Sequence, residues 1–160
     1  IVTTNMTLVR FIHVIALLYF AAGVGNTIVP IWRAWFLSEI ETQALLLSDA
    51  QRNYTTWLLP GVIATGISGY LYAGVLELNV ITTGWLVAMQ ILWIVQIFVL
   101  VPLLGIGLRR VRNLALQSAK QKESTDELRD ALADNAPLVA GTLLIVTFPI
   151  MTGLAIFQPF

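Results

Sequence analysis

The chain contains no cysteine and a single histidine among its 160 residues. The first absence excludes disulfides, thiolate metal sites and a thiol nucleophile. The second leaves His13 as the one imidazole available for ligation or proton transfer. Charge is scarce too: 11% of residues are charged, where soluble domains carry about 25%. The net charge is zero, so the basic footprint that nucleic-acid binding needs is missing. All nine acids fall in polar stretches, and proton-coupled transport usually relies on a carboxylate embedded in the membrane. There is no Gly-rich phosphate loop followed by Lys, and no Ser, His and Asp set within the apolar runs. Catalysis by this chain would have to rest on a bound cofactor.

What is abundant is apolar surface, with 58% of residues hydrophobic. Four runs are long enough to cross a bilayer as helices, which takes about 20 residues. They cover residues 7–29, 57–75, 83–108 and 137–157. Helices satisfy their own backbone hydrogen bonds in lipid. The expected fold is therefore an all-α integral membrane four-helix bundle, one domain over residues 1–160, with polar connections at 30–56 and 109–136. The first run has no cleavage pattern of a signal peptide and is expected to stay as a span.

Local signals place the elements. Pro30 is expected to end or kink the first helix, and Trp32 and Trp35 flank Arg33 as an interfacial pair does. Residues 38–54 read as an interfacial segment. Ser48 with Gln51 resembles a capping box, which would start the second helix near Ser48. In that helix Gly61, Thr65, Gly69 and Ala73 stand four residues apart. Small residues at this spacing let a neighbouring backbone come close, so they form the expected helix-packing face. Pro60 should bend the helix near its start. Gln90 and Gln96 point to different sides of the third helix, and each is expected to bond to a neighbour. Ser124 and Glu127 have capping-box spacing in the second polar connection. Asn135 and Pro137 form a start signal for the last helix.

Charge sets the expected orientation. An even number of spans puts both termini and the turn at Glu77 on one side, with Arg10. The other eight of the nine basic residues lie in the two longer connections. The positive-inside bias predicts that these connections are cytoplasmic and that both termini face outward. A bacterial inner membrane is the expected location.

His13 sits in the apolar run RFIHVIALLYFAAGVGN, one turn after Arg10. An ionisable group within a span is a functional-site hypothesis by default. A neutral imidazole binds haem iron or chlorophyll magnesium, and helical bundles hold such groups between facing helices. A haem with two axial ligands needs a second one, and Met6, Met89 and Met151 serve equally well as packing residues. The alternative is a histidine hydrogen-bonded to another helix. Ala16, Phe20 and Gly23 follow on its side of the helix, which directs it to the protein interior.

Arg10, His13, Tyr19, Phe20 and Gly23, followed by Arg52, Tyr54, Leu59 and Pro60, carry a family likeness. This pattern resembles the four-helix membrane proteins related to HemJ-type protoporphyrinogen oxidase, and even more their relatives known only as predicted integral membrane proteins. The resemblance covers about residues 6–112. It implies the bundle fold, with His13 at the position of that family's first-helix histidine. The oxidase-type pattern opens the third helix with Trp-Leu-His-x-Lys. Here Trp85 and Leu86 are followed by Val87 and Met89 at the His and Lys positions, so of that polar set His13 alone carries over.

Together these features predict a non-catalytic membrane subunit, in contact with lipid and with other membrane subunits, in an electron-transfer or photosynthetic complex. The alternative is a haem- or other tetrapyrrole-binding oxidoreductase with His13 as axial ligand.

Overall fold

The computed structural model describes residues 2–159; the end positions 1 and 160 of the expected domain lie outside them. The described residues form five helices: α1 (Val2–Trp35), α2 (Ile40–Val75), α3 (Gly84–Gln121), α4 (Asp126–Ala133) and α5 (Ala136–Phe157). Four helical stretches are long and apolar enough to cross a membrane, Asn5–Trp35, Ile40–Val75, Gly84–Gln121 and Asp126–Phe157.

The first helix does not stop at Pro30 but runs on to Trp35. A proline has no N–H for the carbonyl four residues earlier, which here is Asn26. That carbonyl accepts from the Asn53 amide of α2 at 3.3 Å. Pro60 in α2 leaves the Thr56 carbonyl in the same position, and the Tyr19 hydroxyl of α1 donates to it at 2.5 Å. Each helix thus supplies the donor that the other's proline withholds. Tyr19 also stacks on Trp57.

The second helix starts at Ile40, well before Ser48, so Ser48 and Gln51 lie inside it and cap nothing. Its start is fixed from α1: Gln43 is buried and donates to the Ala34 carbonyl at 2.9 Å. Ala44, Leu47, Ala50 and Tyr54 give this segment a buried face, which is why 40–53 is a packed helix. The connection at 109–136 is also mostly helical. The last part of α3 buries Val111, Ala115 and Ser118. Lys122 adopts a left-handed conformation and ends the helix. Thr125, one position after Ser124, caps α4 by accepting from the Leu128 N–H. Trp35 donates to the Leu132 carbonyl at 2.9 Å and seats α4 on the end of α1.

Two π-helical turns interrupt the long helices, at Tyr54–Leu58 and Gln96–Leu100. Each ends two residues before a proline, Pro60 or Pro102. The Tyr54 hydroxyl donates to the Val101 carbonyl at 3.0 Å and lies over Gly105, where any side chain would collide with it.

The bundle is packed unevenly. On the side of the basic connections the core holds Leu47, Leu58, Leu104, Leu108 and Leu128, each 0–1% exposed. Toward the termini it loosens. No residue of Gly84–Val95 is buried, and the buried residues of α5 all lie in its first half, from Pro137 to Leu144.

Backbone proximity is greatest between α1 and α2. A Cβ added at Gly23 would stand 2.6 Å from the Leu58 nitrogen, and one at Gly61 would stand 2.7 Å from Phe20 Cα. At Gly25 and Gly74 there is open space. Backbone cannot yield as a flexible side chain does, and overpacking typically costs about 1–3 kcal/mol. Gly61→Leu should therefore lower the thermal unfolding midpoint in detergent well below that of Gly74→Leu. Equal midpoints would show that this close approach does not hold α1 and α2 together.

Candidate functional site

The close approach of α1 and α2 fixes a register. Phe20 meets Gly61, Ala16 meets Thr65, and His13 meets Gly69. The Thr65 hydroxyl donates to the Ala16 carbonyl at 3.2 Å. A Cβ at Gly69 would stand 3.3 Å from His13 Cε1, so the missing side chain makes room for the imidazole. Ala73 is buried at 5% exposure. Gly61, Thr65 and Gly69 thus lie on the side of α2 turned to α1.

His13 is half-buried. Its Nδ1 lies 2.9 Å from the Ser68 hydroxyl, and the Tyr72 ring stacks beside it with centroids 6.0 Å apart. Ser68 Oγ also lies 3.2 Å from the Thr65 carbonyl, a second acceptor for its one proton. With that proton directed to Thr65, the oxygen accepts from His13, which puts the imidazole proton on Nδ1 and leaves the lone pair on Nε2. Among the described residues Nε2 has no hydrogen-bond partner. A ring held through Nδ1, with Nε2 free, is the posture of a metal-ligating histidine whose tautomer is fixed by an outer partner.

Several other polar side chains toward this end bond to one another or to backbone. Tyr70 donates to Gln90 Oε1 at 3.0 Å, and the Gln90 amide donates to the Val80 carbonyl at 2.6 Å. Trp93 donates to the Val62 carbonyl at 2.9 Å, with its ring against Gly66. Gln96 is fully buried. Its amide donates to Thr147 at 2.8 Å, and its Oε1 has no partner among the described residues. Of the three methionines, Met89 and Met151 are half-buried and Met6 is exposed. No group of three or more His, Cys, Asp or Glu side chains that could hold a metal ion occurs among the described residues.

Sequence reasoning singled out His13 and the four-residue stripe but not Ser68. The signal was present: Ser68 is one residue from Gly69 and one turn beyond Thr65, so a hydroxyl on this face comes level with His13.

A four-span α-helical membrane protein with one histidine held between its first two helices is the class these features define. The family model described as "Predicted integral membrane protein (DUF2269)" matches residues 7–159. The chain belongs to that family. No curated protein and no solved structure matches it.

Removing the Ser68 hydroxyl tests the tautomer. Hydrogen bonds between membrane helices average about 0.6 kcal/mol and reach about 1.7, so Ser68→Ala should cost about that much stability. Nitrogen-15 NMR of His13 should show the Nδ1–H form in the native protein and a mixture of tautomers in Ser68→Ala. An Nε2–H form in the native protein would reverse the assignment.

Proposed function

We propose that the protein is a non-catalytic integral membrane subunit that presents His13 as a single metal ligand, with haem or a chlorophyll-type pigment as the ligand class. The observation that carries this reading is the imidazole itself: Nδ1 is tied to Ser68 while Nε2 is unpaired among the described residues. It lies in the half of the bundle where the helices cover one another least. His13 would hold the metal of such a group through Nε2, with Ser68 orienting the ring. A bound haem would supply one-electron chemistry, and a bound chlorin would supply light absorption. The apolar Val87 and Met89, where the oxidase pattern has His and Lys, favour a binding subunit in an electron-transfer or photosynthetic assembly over an oxidoreductase acting alone.

Protein purified gently from its own membranes should show a Soret or chlorin band and carry companion subunits. His13→Leu should lose the band while the bundle still assembles. A colourless preparation that takes up no added haem and carries no companion would overturn the proposal. In that case the second reading holds, in which the Ser68 bond to His13 serves helix packing alone.

The basic side is proposed to face the cytoplasm of a bacterial inner membrane, from the positive-inside bias. A cysteine for labelling belongs at Glu123, which is exposed, and not at Ser118, which is 0% exposed. Glu123→Cys should resist an impermeant maleimide in intact cells and react after permeabilisation. Reaction in intact cells would invert the topology.

A further inference from the structure

We propose that Arg52, Arg109 and Arg112 form a binding site for the phosphate group of an anionic phospholipid, in the leaflet on the basic side of the bundle.

A shallow groove runs between α2 and α3, lined by Glu41, Ala44 and Leu45 on one helix and Leu116, Ala119 and Lys120 on the other. Residues three, four and seven apart share a helix face. Arg52 is seven residues after Leu45. Arg112 and Arg109 are four and seven residues before Leu116. The three arginines therefore continue the two walls of this groove toward the membrane. Arg109 is anchored there, because its Nε donates to the Gly105 carbonyl at 3.4 Å. Gly105 in turn lies under the hydroxyl of Tyr54, two residues from Arg52.

The depth suits a headgroup. The 22 residues of α5 rise about 33 Å, close to the roughly 30 Å of a hydrocarbon core. Pro137, at the start of α5, packs on Gly107, so the membrane edge lies near Gly107. Arg109 and Arg112 stand within two turns beyond it. Just inside it, Leu103 and Ile106 of α3 are 48% and 67% exposed and offer an apolar path for acyl chains.

Among the described residues no carboxylate pairs with this charge. Arg129 with Asp126 is the one ion pair among the described residues, so none of the three arginines has a carboxylate within 4.0 Å. Asp49 lies on the groove face one turn further from the membrane, and Glu41 is at the far end. Arg112 is half-buried, donates to Asn113 at 3.4 Å, and has a buried Nε with no partner among the described residues. Like charges gathered across a helix seam repel. A phosphate diester answers all of them, since guanidinium forks bind phosphate oxygens in pairs.

The test uses the full chain in phosphatidylcholine nanodiscs with and without phosphatidylglycerol. It reads the phosphatidylglycerol retained in native mass spectrometry and the thermal midpoint. A basic residue near an anionic surface contributes about fivefold in binding, so Arg52→Gln with Arg109→Gln should cut retention about 25-fold. Arg129→Gln, away from the seam, should change it less than twofold. An equal loss in Arg129→Gln would reduce the site to diffuse surface charge and overturn it. A rise in midpoint with inorganic phosphate alone, equal to that with phosphatidylglycerol, would overturn the lipid as ligand. Should the double Gln variant fail to fold, Arg52→Lys with Arg109→Lys keeps the charges and removes the forks. Retention equal to the native protein in that variant would also overturn the proposal.

Discussion

In hydrocarbon a free backbone carbonyl has no water to turn to, and two prolines create such carbonyls in facing helices. Pro30 strands the Asn26 carbonyl and Pro60 strands that of Thr56. Asn53 and Tyr19 answer them from the opposite helix. The pairing is reciprocal, so neither helix can shift along the other without stranding a carbonyl again. Gly23 and Gly61 allow the approach that brings these donors within reach. The rest of the site follows from that register. With α1 and α2 locked over this stretch, Thr65 reaches the Ala16 carbonyl and Ser68 reaches the imidazole of His13.

The two halves of the molecule are held by different means. On the basic side, large aliphatic side chains interlock and a short helix covers the end of α1. On the side of the termini, buried aliphatic residues are few and polar ties take over, from Tyr70 to Gln90, from Trp93 to the Val62 carbonyl and from Ser68 to His13. Directional bonds hold a geometry with less contact area than aliphatic packing requires. They leave the faces around His13 only half-covered, as the partial exposure of His13, Gly69 and Tyr72 shows.

The four spans were legible because twenty apolar residues in a row admit few other readings. Helix ends were less so. Pro30 reads as a stop in any local window, and the Asn53 amide that lets the helix continue lies 27 residues away. Residues 40–53 look polar enough for the interface, yet the three- and four-residue spacing of Ala44, Leu47, Ala50 and Tyr54 already marks one buried face. The last helix, by contrast, begins at Ala136, directly after Asn135. Of the histidine site, its own residue and the glycine that makes room for it stand out by type. Its hydroxyl partner does not, because serine is common in membrane helices and the register between helices is not written in either one.

The π turns bear on how one rod can serve two environments. Ala50, Tyr54, Leu58 and Val62 are buried at intervals of four, as are Gln96, Leu100, Leu104 and Leu108. An α-helix advances 3.6 residues per turn, so three such steps rotate the buried stripe by about 120° on a straight helix. One extra residue in the ladder, which a π turn supplies, takes back about 100° of that rotation. Each turn therefore acts as a phase shifter, Tyr54–Leu58 near the membrane boundary and Gln96–Leu100 within the span. The stretches on either side of a turn can keep separate angular settings and still point their buried residues at a common axis.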